Sequence, residues 1–297
     1  MKRKIIKATI MINGKEKTFT SHNKSNTLSS QGLRVQCNIQ FGGGAVSPTA
    51  SIKIYGLELK NMLDLMRIEW NTMSAILNTI RLEIQEEGDL TFTKVFEGNI
   101  TFAKINFQGA PDVSLDIESQ AAIVERLKPQ KSTIFAPNSD AAAMIEQIAK
   151  SMNYQFENTK NASKIIANGG TYEGSNLDKI KKIAQAADFD LYIEQNLISI
   201  CPKGFARDIK VPIISPKNGL IGYPVPDIRG ISFACIYNPL VHFGGIVEIK
   251  DSLLTTANGE WRVYGCKIAL ESNFVGGKWE MEVNASPKNA KDVAIVK

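Results

Sequence analysis

The chain has 297 residues, 43% of them hydrophobic and 22% charged, and a net charge of +5 from 35 basic and 30 acidic side chains. That composition excludes a disordered, collagenous or membrane-spanning chain, and the charge bias is too small for a dedicated nucleic-acid binder. No run of 18 apolar residues occurs, and Lys7 and Asn13 interrupt the apolar stretch after Lys2-Arg3-Lys4, so neither a membrane span nor a signal peptide is expected.

The first third reads as β. Ile6, Ala8, Ile10 and Ile12 alternate up to an Asn13-Gly14 turn. Residues 33–41 alternate without fault: Leu33, Val35, Cys37, Ile39 and Phe41 share one side, and Arg34, Gln36, Asn38 and Gln40 share the other. Gly42-Gly43-Gly44 ends that strand, and a short strand through Ile52 and Ile54 ends at Gly56. Residues 58–67 fit a short helix with Leu59, Leu63 and Met66 on one face. Strands follow at 80–85, at 90–106 with a bend or bulge at Gly98, and at 113–118.

Near residue 130 the period changes. Residues 139–153 predict a helix capped by Ser139, with Met144, Ile145, Ile148 and Met152 as its stripe. A second helix over 175–188 starts with a Ser175/Asp178 capping box, with Lys179, Lys181 and Lys182 toward water. A hairpin follows, Leu191-Tyr192-Ile193 against Leu197 to Ile200. β character returns with Ile231 to Tyr237, a stop at Asn238-Pro239, a Gly244-Gly245 turn, Val247 and Ile249, and strands around Trp261 and Trp279. The predicted class is α+β, mainly β. Two small antiparallel β-barrels, residues 1–130 and 205–285, flank a small α/β domain at 131–204, and residues 286–297 form a C-terminal tail.

Chemistry is hard to place on this chain. The two histidines, His22 and His242, read as loop or turn residues, and no histidine pair has metal-binding spacing. Asp188, Asp190 and Glu194, like Glu86-Glu87, read as charges at element ends rather than a glycosidase pair. Gly42-Gly43-Gly44 lacks the lysine and helix of a phosphate cradle. Cys37, Cys201, Cys235 and Cys266 are scattered and read as free structural thiols. The expectation is no catalytic residue, no cofactor and no metal, in a chain made in the cytoplasm.

Several segments, in order, resemble the baseplate hub proteins of tailed bacteriophages, including the late-control-protein D group. They are Ser51-Ile52-Lys53-Ile54-Tyr55-Gly56-Leu57, Phe96-Glu97-Gly98-Asn99-Ile100, the helix and hairpin from Gly174 to Ile200, Tyr237-Asn238-Pro239-Leu240 with Gly244-Gly245-Ile246-Val247, Trp261-Arg262-Val263-Tyr264, and Leu270-Glu271-Ser272 with Gly277-Lys278-Trp279. Type VI secretion spike proteins share the fold that this resemblance implies, with a long β-helical extension that is not recognisable here. The resemblance implies a virion protein of the tail baseplate, with two tube-like barrels per chain and three chains in a ring that adapts a six-fold tail tube to a three-fold spike. Implied partners are two further copies, the tail tube protein or a tube adaptor above, the central spike below, and the tape measure and baseplate wedge proteins as further neighbours. Neither membrane insertion nor specific nucleic-acid binding is implied. No lysozyme or spike domain is recognisable, so those roles fall to other chains. Val241, Phe243, Phe274 and Val275, near turns, are the candidate interface residues. A tail tube or tube-terminating protein and a cell-wall-binding or cell-wall-degrading tail module are the alternatives.

Overall fold

The computed structural model describes residues 4–12, 15–20, 33–42, 47–66, 78–86, 88–128, 130–194, 196–288 and 290. The Asn13-Gly14 turn, His22, Gly43-Gly44 and residues 289 and 291–297 of the expected tail lie outside these residues. The chain divides into two compact units, one of residues 1–40, 49–124 and 268–279, the other of 41–48, 125–267 and 280–297.

The first unit is an antiparallel sheet with one short helix. Its elements are β1 (Lys4–Ile12), β2 (Lys15–Thr20), β3 (Arg34–Phe41), β4 (Thr49–Tyr55), α1 (Leu59–Met66), β5 (Thr79–Glu86), β6 (Thr93–Asn106) and β7 (Ser114–Gln120). The strand order is β3–β4–β7–β6–β5–β1–β2, with residues 268–272 of a later strand beside β3. Alternation decides the buried face: Val35, Cys37 and Ile39 pair across to Ile54, Ile52 and Ala50, and all six are buried. Ile6, Ile10, Ile80, Leu82, Phe96, Leu115 and Ile117 complete the core, each burial stabilising by about 1.5–3 kcal/mol.

Gly98 is not the bulge. The register shifts lie beside it, at Leu82/Glu83 and at Ile100/Phe102. Gly98 instead lets main chains pass closely, because a Cβ there would lie 2.8 Å from the Gln120 carbonyl carbon and 2.9 Å from the Ala121 nitrogen. Helix α1 forms where the sequence places it. Met62 is buried, whereas Leu59, Leu63 and Met66 are 52%, 48% and 40% exposed, so the face they share looks outward. A two-turn helix has room for one anchoring side chain on the sheet, and here Met62 takes it.

The second unit begins within α2 (Ile123–Leu127) and continues with β8 (Gln130–Phe135), β9 (Ser139–Asp140), α3 (Ala141–Ser151), β10 (Gln155–Asn158), β11 (Ile165–Ile166), β12 (Gly170–Gly174), α4 (Asn176–Ala187), β13 (Phe189–Glu194) and β14 (Leu197–Pro202). Helix α3 is capped by Asp140 rather than Ser139: the Ala143 N–H donates to Asp140 Oδ2, and Ser139 Oγ donates to the Ala136 carbonyl. Helix α4 has the expected capping box, with Ser175 and Asp178 bonding reciprocally. β13 and β14 form the predicted hairpin, and β10 adds to β14 in parallel. Lys179 departs from the expectation that it faces water. It is 1% exposed, and its Nζ donates to the Lys131 carbonyl (2.5 Å) and to Thr133 Oγ1 (3.0 Å), fastening α4 to β8.

The remaining strands are β15 (Ile213–Ile214), β16 (Leu220–Asp227), β17 (Gly230–Ile236), β18 (Ile246–Ile249), β19 (Gly259–Ser272), whose last residues belong to the first unit, and β20 (Trp279–Pro287). Their order is β16–β17–β20–β19, with β18 on β19 and β15 on β18. β20 runs through Ser286, which is fully buried, so the strand reaches into the expected tail. β16 carries Pro224 and Pro226 and exposes Ile221, Tyr223 and Val225. Among the described residues it pairs only with β17.

The mainly β, α+β class holds, but the two closed barrels do not appear among the described residues. The strand path is open, ending at β2 in the first unit and at β16 in the second. Alternation tells which side of a strand is buried. Closure needs a stagger and tilt shared by all strands, and alternation does not encode that.

Candidate functional site

Two clusters of polar and aromatic side chains stand out, one in each unit. In the first unit, Arg34 at the start of β3 lies 4.9 Å from the Tyr55 ring and 5.4 Å from the Phe274 ring, and those rings meet edge to face at 5.7 Å. Arg34 Nη2 also donates to Asp112 Oδ1 at 2.5 Å. The register puts Arg34 opposite Tyr55, and Asn273 Nδ2 donates to the Leu33 carbonyl, which fixes the turn that carries Phe274. Val275, next in that turn, is fully exposed. Arginine stacked on aromatic rings beside an exposed aliphatic is the composition of a protein–protein contact centre.

The four candidate interface residues therefore divide. Phe274 is half-buried and Val275 exposed, but Val241 and Phe243 are buried in their own unit, 7% and 3% exposed. Phe243 meets the Tyr192 ring edge to face at 5.1 Å. The Pro-and-Gly turn that suggested exposure folds inward, because the Gly244 N–H donates to the Val263 carbonyl and the Val263 N–H donates to the Gly245 carbonyl.

The second cluster is a buried ion-pair network. Arg207, 6% exposed, is bidentate to Glu157, with Nε to Oε1 at 3.2 Å and Nη2 to Oε2 at 2.8 Å. Its Nη1 donates to Glu194 Oε2 at 2.7 Å and to the Phe243 carbonyl at 3.1 Å. Glu194 Oε1 lies 3.2 Å from His242 Nδ1. Burial alone would raise both carboxyl groups, but the contacts win. Arg207 holds Glu157 below the usual carboxylate range, and His242 and Arg207 together do the same for Glu194. Nearby, Arg262 Nη1 donates to Asp190 Oδ2 at 3.0 Å, and the same oxygen accepts the Gly204 N–H.

Three of the carboxylates considered for hydrolysis are thus accounted for. Asp190 and Glu194 are bonded to buried arginines, and Asp188 pairs with Lys203 at 2.9 Å. His242 orients on Glu194 rather than on a nucleophile. Sequence reasoning missed Arg207 and Arg262, whose partners lie far off along the chain. The four cysteines are free and buried, and burial pushes the thiols of Cys37 and Cys235 up to about 12 and that of Cys201 up to about 11. These are inert packing groups. Among the described residues no group of three or more His, Cys, Asp or Glu could hold a metal ion, and no helix is long and apolar enough to cross a membrane.

The family described as Baseplate hub gp41 matches residues 5–275. The chain belongs to this baseplate hub family. The hub is a structural component of a phage tail, and thus a part of the virion. No curated protein matches the hub by sequence. Solved structures share its fold. A 43 kDa tail protein of prophage MuSo2 from Shewanella oneidensis superposes with a TM-score of 0.62 at 8% identity, over 97% of the hub and 99% of that chain. A tail protein from Neisseria meningitidis MC58 gives 0.60 at 9% identity, over 98% and 97%. An E. coli type VI secretion component, described as similar to T4 bacteriophage tail proteins, gives 0.57 at 10% identity, over 93% and 81%. The hub fold therefore persists where little sequence is shared.

Proposed function

We propose that three copies of the hub form a closed ring between the tail tube, or a tube adaptor, and the central spike, converting six-fold to three-fold symmetry. The observation that carries this reading is the match to the hub family over residues 5–275 of a chain with two sheet-bearing units. Three chains with two such units each offer six tube-like elements. Cyclic closure would cover apolar surface and sheet edges that one chain leaves open. Such an obligate interface buries more than about 2,000 Å². The Arg34–Tyr55–Phe274 cluster with Val275 is the proposed contact centre, and Val241 and Phe243 serve their own unit's core.

On this reading the role is mechanical and not catalytic. The working modules are residues 1–130, 131–204 and 205–285, and the tape measure and baseplate wedge proteins are further neighbours in the assembled tail. The chain is made in the host cytoplasm, where its free cysteines stay reduced.

Light scattering on the purified hub tests the ring. A stable mass of three 32.7 kDa subunits supports it. A monomer that stays monomeric when mixed with purified tube and spike proteins overturns it. Clearing of bacterial cell wall by the pure protein in a zymogram would overturn the non-catalytic role.

A further inference from the structure

We infer that residues 291–297 of the hub dock into a cleft of their own chain, along the loop of residues 203–211, and close over Phe205. The inference concerns a single chain and does not rest on the ring. The cleft holds about 490 Å³ and lies wholly in the second unit. Phe205, Ile209, Val211 and Ile246 give it apolar walls, and Lys288, near the end of the described chain, is itself part of its lining. Phe205 and Val211 stay 51% and 38% exposed although their loop is fixed from behind: the Phe205 N–H donates to the Pro202 carbonyl, and the Arg207 N–H to the Gly244 carbonyl.

Main-chain geometry selects the occupant. After β20 the Ala290 N–H donates to the Pro287 carbonyl at 3.0 Å, which turns the chain. Buried Arg262 fixes where that turn ends. Its Nη2 donates to the Ala290 carbonyl at 3.1 Å, and its Nη1 donates to the Phe205 carbonyl at 3.3 Å and to Asp190 Oδ2 at 3.0 Å. One planar guanidinium thus holds the carbonyls of Ala290 and Phe205 side by side. The peptide bond to Lys291 therefore leaves from the edge of the cleft, next to its aromatic residue.

The sequence beyond that point suits an apolar recess. Lys291 and Asp292 are followed by Val293-Ala294-Ile295-Val296 before Lys297. Two residues span at most about 7 Å, enough to bring Val293 to Phe205, and the next four reach at most about 14 Å further. Charge makes no rival claim on the cleft. Lys203 pairs with Asp188, Lys160 with Asp208, Lys288 with Glu260, and Arg207 with Glu157 and Glu194. The surface left open is apolar, and covering it is favourable. A segment tethered at the rim acts at an effective concentration on the order of mM, so a segment of another protein competes at a disadvantage.

The test uses the full-length hub carrying Phe205→Cys and Ile295→Cys. The native thiols are buried, so mild oxidation with diamide addresses the introduced pair. Ordinary and heavy-nitrogen subunits are mixed, oxidised, digested and analysed by mass spectrometry. A disulfide joining the two peptides within one isotope is expected. A control with Ile134→Cys and Ile295→Cys, whose first position is exposed and outside the cleft, should link far less. In the hub without introduced thiols, Val293→Asp with Ile295→Asp should speed amide exchange in residues 205–211 at least about threefold while the melting curve holds. Linkage between isotopes would assign the cleft to a neighbouring copy's segment. That result, equal linkage in the control, absence of linkage, or unchanged exchange would each overturn the assignment.

Discussion

Arg207 and Glu194 meet at 2.7 Å with side chains only 4% and 17% exposed, and the same guanidinium grips Glu157 from the other side. One cation neutralises two carboxylates out of bulk water. Removing it leaves two like charges with poor solvation, which costs far more than the pair itself contributes. Arg207→Met is expected to destabilise the hub by about 3–5 kcal/mol in denaturant unfolding, with Glu194→Gln milder because Arg207 keeps Glu157.

The same network sets a pH dependence. Glu157 and Glu194 have folded-state pKa values below those of the unfolded chain, near 4.3, so the unfolded state takes up protons first. The stabilisation is present above about pH 5 and fades as pH falls through 4 and below. Melting temperature should drop over that range, and Arg207→Met should flatten the slope.

Val275→Asp tests the contact centre proposed in the first unit. The side chain is fully exposed in the single chain, so the monomer should melt within about 0.5 kcal/mol of the parent. A carboxylate at a desolvated contact should shift the light-scattering mass toward one subunit. Phe274→Ala, which removes a ring from beside Arg34 and Tyr55, should weaken assembly as well.

Gly98→Ala should cost about 1–3 kcal/mol. The new methyl would lie within 2.9 Å of main-chain atoms of Gln120 and Ala121, and Gln120 has Thr49 of β4 on its other side, so it cannot retreat. Thermal unfolding measures it directly.

Lys179→Met separates a fastener from a filler. If the Nζ contacts to Lys131 and Thr133 hold β8 against α4, hydrogen exchange of β8 and β12 amides should speed up, even where global stability changes little.

The strands of the first unit were legible because one buried face and one wet face leave a period of two, as Val35, Cys37 and Ile39 show. The capping box of α4 was legible because its partners are three residues apart. Three features left no such trace. β16 breaks its own pattern with two prolines and with exposed apolar side chains. Lys179 looks in sequence like Lys181 and Lys182, and only the position of the Lys131 carbonyl buries it. Arg207 finds Glu157 at a separation of 50 residues, a distance over which local periodicity carries no information. The burial of Val241 and Phe243 left no trace for a related reason: a turn next to them says that the chain reverses, not which way the side chains go.

The prolines of β16 have a further consequence. A subunit with an open sheet border can recruit copies of itself without limit, and a fibre is the usual outcome. Pro224 and Pro226 take two N–H donors from the outermost strand of the second unit, so a newcomer strand would find gaps where it needs partners. The hub is thereby built to stop growing: at this border it rejects endless main-chain stacking, and assembly is left to surfaces that can be counted and closed.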